Sequence, residues 1–283
     1  MHTSNRAYAL IDVAEIEPLQ WRGGETRAVI RPDQTGYSYS LFLVSLEQAE
    51  SRAVPAPSEV GYYLLKGQLK VASDLGTAQA AKGEYIHLPK EAAHELCSIG
   101  NERALFLAVF APAGEDVWSE SHANIQQQPD VSSRRMRSGA RLHLQSAVST
   151  FSFFGGQYGI RVSGEATAEN FAQLDATYEN GSGFPLMRLK ADIGFFIREG
   201  ALNFIIKNEN IVLNAGQFLN IPKDTFFSFS SAGSDVVRVV ITVAPAGFEK
   251  ILTIPSQSSL PPTLAGLSEH LKLCGQSIGI EIR

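Results

Sequence analysis

Short apolar runs, separated by glycine or proline at almost every joint, make up most of the chain. Leu105–Phe110 reads LFLAVF, and Glu84–Leu88 reads EYIHL between Gly83 and Pro89. Runs of this length are typical of strands rather than helices. The pattern predicts strands at 37–46, 61–65, 68–72, 84–88, 105–110, 158–162 and 171–178. Short strands at such spacing predict an all-β protein built as an antiparallel barrel or sandwich.

The stretch from Glu59 to Gly114 occurs a second time, as Asp192 to Gly247, when 133 is added to each position. The copies align without a gap, and twelve positions are identical. The first-copy residues that recur are Gly61, Gly67, Leu69, Gly83, Pro89, Lys90, Ser98, Gly100, Ala111, Pro112, Ala113 and Gly114. Two copies of this length indicate two similar domains, since a solenoid needs about three or more shorter repeats.

These patterns predict the domain organisation. We expect a first barrel over 1–114, a polar linker over 115–143, a second barrel over 144–254 and a tail over 255–283. A short C-terminal helix is predicted over about 264–274, because Gly275 follows as a stop signal. Hydrophobic residues at 44% and charged residues at 19% are typical of a globular protein.

Composition also limits the kinds of partner that the protein is expected to bind. A net charge of -5 argues against a nucleic-acid surface. We find neither a secretory signal nor a membrane span, because acidic residues interrupt the first apolar run and no stretch reaches about 20 apolar residues. Cys97 and Cys274 lack the spacing of a disulfide framework or a thiolate metal site. We therefore expect a cytoplasmic protein that binds neither nucleic acid nor membrane.

Several motifs carry a family resemblance. Gly83 followed by Leu88-Pro89 and then His94 resembles the second signature of the cupin superfamily, and Tyr62–Gly67 resembles the end of the first. Because the resemblance covers 36–114 and 158–250, the chain resembles a bicupin, with two jelly-roll-like barrels. Ala244–Glu249 and Gly183–Leu186 are similar to segments of the quercetin 2,3-dioxygenase-like (pirin/quercetinase-type) bicupins.

The resemblance implies a divalent metal held by histidines and a glutamate inside a barrel, yet most of those positions hold other residues. In the second copy they are Met187, Leu189, Ile193 and Phe227. In the first copy, 54–59 contains no histidine, Glu59 lies one residue out of register, and His94 alone is retained. We therefore predict no metal and no other cofactor.

The candidate catalytic residues lie in the first copy. His94 fits a general base, with Tyr63 or Glu59 as its partner, because an imidazole titrates near neutrality. His94 equally fits a hydrogen-bonded core residue left from an ancestral site. The candidate ligand-binding residues are Tyr39, Tyr85, His87, Phe196 and Phe227. Each also fits a structural interpretation, as aromatic packing or, for His87, as a polar strand position that Asn220 repeats.

Three functional hypotheses follow. The first is a metal-independent enzyme that binds a small hydrophobic, oxygenated or aromatic molecule in the first barrel and isomerises or cyclises it by acid–base chemistry. The second is a bicupin that binds ligands or partners without catalysis. The third is a quercetinase-like dioxygenase with a minimal metal site at His94. A homodimer is expected in each case.

Overall fold

The computed structural model describes residues 8–21, 23–54, 57–114, 142–145, 149–233, 235–253 and 279–282. Within them the chain is mostly β-structure, with one short α-helix, α1 (Glu249–Leu252), and two single-turn 3-10 helices at Val13–Glu15 and Pro32–Gln34. The strands are β1 (Ala9–Asp12), β2 (Leu19–Trp21), β3 (Gly24–Ile30), β4 (Ser40–Leu46), β5 (Ser51–Val54), β6 (Glu59–Lys66), β7 (Gln68–Ser73), β8 (Gly76–Ala81), β9 (Tyr85–Leu88), β10 (His94–Ile99), β11 (Ala104–Ala111), β12 (His143–Gln145), β13 (Thr150–Phe153), β14 (Gly156–Val162), β15 (Ala172–Tyr178), β16 (Gly183–Leu189), β17 (Asp192–Glu199), β18 (Ala201–Ile206), β19 (Glu209–Asn214), β20 (Gln217–Ile221), β21 (Phe227–Ser231), β22 (Val237–Ala244) and β23 (Ile280–Ile282). The predicted all-β class is confirmed, whereas the helix predicted over 264–274 lies outside the described residues.

The chain divides into two compact units. One is Val13–Val148, and the other combines Met1–Asp12 with Ser149–Arg283. In the first unit, a seven-stranded sheet in the order β12-β9-β6-β11-β4-β3-β2 and a four-stranded sheet in the order β5-β10-β7-β8 are both antiparallel. We call this unit the first barrel. Its buried core is drawn from the inner faces of both sheets.

Period-two alternation explains which face of each strand is buried in that core. On β6, Val60, Tyr62 and Leu64 point into the core of the first barrel. Their neighbours Gly61 and Tyr63 belong to the opposite face, because successive strand side chains alternate. Burying each large apolar side chain contributes about 1.5–3 kcal/mol, so the inward set fixes the register of the strand.

The other unit, which we call the second barrel, repeats this plan. Its seven-stranded sheet runs β1-β20-β17-β22-β15-β14-β13, and its five-stranded sheet runs β19-β18-β21-β16-β23. Its core contains many aromatic rings, including Phe195, Phe204, Phe227 and Phe229. The two barrels are therefore built to one plan and filled with different side chains.

The structural repeat starts earlier than the repeat detected in the sequence. Strands β3 and β4 correspond to β14 and β15, with an offset of 132 positions instead of the 133 of the sequence repeat. Both pairs carry an irregularity at the same place, between Ala28 and Ile30 and between Ile160 and Val162. Before each second strand a threonine hydroxyl, that of Thr35 or Thr167, donates to a backbone carbonyl four residues on, at 2.5 Å in both cases. The duplicated unit thus begins near residue 24.

Each seven-stranded sheet ends in a strand from outside its own repeat copy. The early strand β1 pairs with β20 of the second barrel, where Ala9 faces Asn220. The strand β12, which comes just before the second copy, pairs with β9 of the first barrel, where His143 faces His87. We call β1 and β12 the exchanged strands.

Candidate functional site

A tyrosine and a histidine form a buried pair inside the first barrel. Tyr62 lies on β6 in the seven-stranded sheet, and His94 begins β10 in the four-stranded sheet, so the pair spans the core. The Tyr62 hydroxyl lies 2.6 Å from His94 Nε2. The two rings meet edge to face with centroids 5.5 Å apart. We call these two residues the Tyr62–His94 pair.

A backbone carbonyl sets the tautomer of His94. Nδ1 lies 2.7 Å from the carbonyl oxygen of Ala92, and a carbonyl can only accept, so Nδ1 carries the proton. Nε2 is then the acceptor, and the Tyr62 hydroxyl donates to it. Burial lowers the pKa of His94 from its usual 6.5 to about 4, against a smaller opposing effect of the Ala92 hydrogen bond. His94 is therefore neutral at neutral pH.

This arrangement has the parts of an acid–base relay. The Ala92 carbonyl orients the imidazole, the imidazole presents Nε2 to the phenol, and a phenol oxygen that donates its proton can still accept another. Apolar side chains surround the pair, and such surroundings strengthen its electrostatic interactions. The pair can therefore move a proton between the Tyr62 oxygen and His94 Nε2.

The second barrel places two phenylalanines where the first has this pair. Phe195 and Phe227 occupy the positions 133 residues after Tyr62 and His94, and their rings also meet edge to face, at 6.1 Å. Phe195 also contacts the rings of Phe204 and Phe229, at 4.9 and 5.5 Å. The same geometry is thus polar in one barrel and purely apolar in the other.

A second polar group lies on the opposite face of the seven-stranded sheet of the first barrel. His87 Nε2 lies 2.9 Å from Glu59 Oε2, and both side chains are almost fully buried. The exposed His143 of β12 places its ring 6.0 Å from that of His87. Tyr85 shares this face by strand alternation. We call Glu59, Tyr85 and His87 the sheet-face cluster.

The hydroxyl of Tyr85 is buried and has no hydrogen-bond partner among the described residues. Its ring lies over Gly61, where a Cβ atom would come within 1.8 Å of the hydroxyl oxygen, so this close approach requires a glycine. Burial raises the pKa of Tyr85 well above its usual value, and the charge of Glu59 adds to the effect. Tyr85 is therefore protonated, and its hydroxyl meets no acceptor in the part of the chain that the structure describes.

Removing the Tyr85 hydroxyl is expected to stabilise the protein. Tyr85→Phe should raise the free energy of unfolding by about 1 kcal/mol, because an unsatisfied buried hydroxyl carries a desolvation cost. Phe218 at the repeated position shows that the ring alone fits this fold. Urea unfolding measures the change, with Tyr62→Phe as the matched variant, which should destabilise by leaving His94 Nε2 unpaired. A Tyr85→Phe variant that is less stable than the parent would mean that the hydroxyl has a partner in solution.

The structure separates residues that the sequence analysis grouped together. His94 meets Tyr62, not Tyr63 or Glu59, because those two lie on the other face of β6. Tyr39 is fully buried but is not part of the core of the first barrel. In the second barrel Phe227 is a core residue, whereas Phe196 lies on the opposite face from Phe195. Tyr62 was missed, although the apolar alternation of Val60, Tyr62 and Leu64 pointed to it.

The donors around His94 do not fit a metal ion. Both ring nitrogens already face the Tyr62 hydroxyl and the Ala92 carbonyl. Across the described ranges, no group of three or more His, Cys, Asp or Glu side chains is arranged to hold a metal ion. A divalent metal needs more ligands than one imidazole supplies.

Comparison with known proteins gives similarity of structure alone. No protein-family model matches the chain, and no curated protein matches it. The Lactobacillus farciminis oxalate decarboxylase formate complex matches with a TM-score of 0.66 at 12% identity, covering 98% of this chain and 97% of that one. Such neighbours are bicupins. The protein has the bicupin fold.

Two further neighbours show how broad the likeness is. Protein Ylba from E. coli has a TM-score of 0.61 and 11% identity, covering 84% of this chain and 90% of its own. The coconut allergen cocosin has a TM-score of 0.61 and 10% identity, covering 81% and 83%. A decarboxylase and an allergen share this bicupin fold, so the fold by itself assigns no activity. None of the helices within the described residues is long and apolar enough to span a bilayer.

Proposed function

We propose that the first barrel binds a small hydrophobic, oxygenated molecule and isomerises or cyclises it by metal-independent acid–base chemistry. The observation that carries this proposal is the 2.6 Å hydrogen bond between Tyr62 and His94 inside an apolar core. Tyr62 and His94 are the catalytic residues, in place of the Tyr63 and Glu59 partners predicted from sequence. The phenylalanine pair of the second barrel shows that the fold does not need polar groups here.

Side-chain size favours the first barrel as the ligand site. On the sheet that carries His94, Val71, Ala78 and Leu96 pair across neighbouring strands and face the core. The matching second-barrel positions, paired in the same register, are Phe204, Ile211 and Phe229. Smaller side chains around Tyr62 leave the first barrel the better candidate for an apolar ligand. We assign the second barrel, with Phe227 in its core, a structural role.

The proposed step is a proton shift that needs no other reactant. The Tyr62 oxygen takes a proton from a carbon next to a substrate carbonyl while the Tyr62 proton passes to His94 Nε2. The resulting enolate and imidazolium form an ion pair, whose attraction in apolar surroundings offsets part of the desolvation cost that lowers the pKa of His94. Tyr62 then delivers one proton to a different carbon and takes its own proton back from His94 Nε2, which completes an isomerisation and restores the pair. Relays of this kind typically contribute 10²–10⁴-fold to a rate.

Deuterium exchange tests the relay without knowledge of the natural substrate. In D₂O, the protein should accelerate exchange of the acidic C–H protons of 2-cyclohexenone, followed by NMR. Tyr62→Phe and His94→Phe should each lower that acceleration by about 10²-fold or more. The adjacent Tyr63→Phe is the matched variant and should retain it. Exchange that depends on Tyr63 instead of Tyr62 would overturn the assignment.

A binding protein without catalysis is the second candidate function. It is favoured by the full engagement of both His94 nitrogens and by the lowered pKa, which makes the imidazole a weak base. Ligand binding without any accelerated exchange would select it. A quercetinase-like dioxygenase would use His94 as a metal ligand, and the donors present do not fit that role. The homodimer and the cytoplasmic location stay predictions.

A further inference from the structure

We propose that the first barrel accepts uncharged carbonyl compounds and rejects carboxylate anions. This inference rests on the proposed function, because it concerns the same site around Tyr62 and His94. It defines the substrate class by charge, because the interior of the first barrel does not stabilise an anion. Three properties of the described residues lead to it, namely the absence of buried cations, the neutral state of His94 and the one hydroxyl donor of the Tyr62–His94 pair.

The first property is the absence of a buried counter-ion. Among the described residues, the buried polar and charged side chains include no lysine and no arginine. The core that contains Tyr62 is made mainly of aliphatic and aromatic side chains, and the buried hydroxyls of Thr26 and Ser98 that face it are uncharged. Moving a carboxylate from water into such surroundings costs several kcal/mol unless a cation and further hydrogen bonds compensate. A neutral ketone or ester does not carry that cost.

The second property is that His94 does not serve as the missing cation. Its Nδ1 proton is committed to the Ala92 carbonyl, and Nε2 accepts from Tyr62, which is the pattern of a neutral imidazole. Burial lowers the pKa of His94 to about 4, so the ring stays uncharged at physiological pH. A carboxylate entering the barrel therefore meets no positive charge.

The third property is the number of donors. On binding, the Tyr62 hydroxyl turns from His94 Nε2 to a ligand oxygen and offers it one hydrogen bond, and it turns back to Nε2 for the proton shift. One such bond serves a neutral carbonyl group, whereas an ionised carboxylate has about four lone-pair sites to satisfy. The phenol thus matches a single carbonyl oxygen. Charge and hydrogen-bond count favour the same ligand class.

Acetophenone and benzoate test the inference, since they share a ring and a carbonyl and differ in charge. Binding to the full chain at pH 7.5 is measured by calorimetry. Acetophenone should bind at least about tenfold more tightly than benzoate. Tyr62→Phe should weaken acetophenone binding about tenfold, the loss of one hydrogen bond. This variant copies Phe195 of the second barrel, and circular dichroism checks that it is folded.

The outcomes separate this inference from the proposed function. Benzoate binding that equals or exceeds acetophenone binding, and that Tyr62→Phe weakens, would overturn the charge preference while the site itself stands. Absence of binding by both compounds, or binding that ignores Tyr62→Phe, would overturn the ligand site in the first barrel and this inference with it. Tighter, Tyr62-dependent acetophenone binding supports both.

Discussion

Lowering the pH from 6.5 towards 4 is expected to destabilise the native protein through His94 by up to about 3 kcal/mol. The folded state holds the pKa of His94 at about 4, whereas the unfolded chain has the usual value of 6.5. Below pH 6.5 the unfolded chain therefore binds a proton that the folded chain refuses. The contribution of His94 to the free energy of unfolding is fully present above pH 6.5, falls as the pH drops, and no longer changes below pH 4. Each unit of difference between the two pKa values accounts for about 1.4 kcal/mol of this loss.

The double variant Tyr62→Phe/His94→Phe isolates this effect from that of other titrating groups. It copies the Phe195–Phe227 pair of the second barrel, so it keeps the ring packing and removes both polar side chains of the pair, and the loss of the donor to the Ala92 carbonyl is the same at every pH. Urea unfolding of both proteins at several pH values between 7.5 and 4 gives the difference in stability. As the pH falls, the difference in free energy of unfolding between the two proteins should shift in favour of the variant. Parallel pH profiles would show that His94 titrates normally in the native state and is open to water.

Gly67→Ala is expected to destabilise the first barrel by about 3 kcal/mol or more. Gly67 forms the turn between β6 and β7 with a φ of +72°. A Cβ atom there would lie 2.5 Å from the carbonyl oxygen of Arg103 and 3.0 Å from Cα of Ala104. Both obstacles are backbone atoms, which cannot rotate away as a side chain would. Steric overlap therefore adds to the cost of a left-handed conformation.

Gly83→Ala provides a control that separates the two contributions. Gly83 has a φ of +85° but nothing within 4 Å of the would-be Cβ atom. This variant should lose about 1–2 kcal/mol, from the backbone conformation alone. Thermal and urea unfolding of both variants measure the difference. Equal losses would mean that the β10–β11 connection moves aside at no cost.

Sequence reasoning predicted the strands of the repeat well because each is a short apolar run closed by glycine or proline. Such punctuation is local chemistry, and it placed β6, β7, β9 and β11 close to their observed bounds. The exchanged strands could not be predicted in the same way. Their pairings, as between Ala9 and Asn220, join distant segments and leave no local signal.

The candidate site was predicted in part. The position of His94 inside the first barrel followed from the resemblance, but its partner depended on which of two adjacent tyrosines points inward. Strand alternation decides that question, and the inward face of β6 carries Val60, Tyr62 and Leu64. Tyr63 was predicted as the partner of His94 because of its phenol group, without regard to the face of β6 on which it lies. The hydrogen bond to the Ala92 carbonyl required backbone geometry that no pattern of residues reveals.

The exchanged strands also determine the order in which the two barrels can be completed during synthesis. Strand β1 emerges from the ribosome early, yet its partner β20 follows about 200 residues later. At ordinary translation speeds β1 remains without its sheet for roughly 10–40 seconds. The first barrel gains its edge strand β12 well before that. The second barrel is therefore completed last, because β1 is synthesised early and has to pair with β20, which is synthesised late.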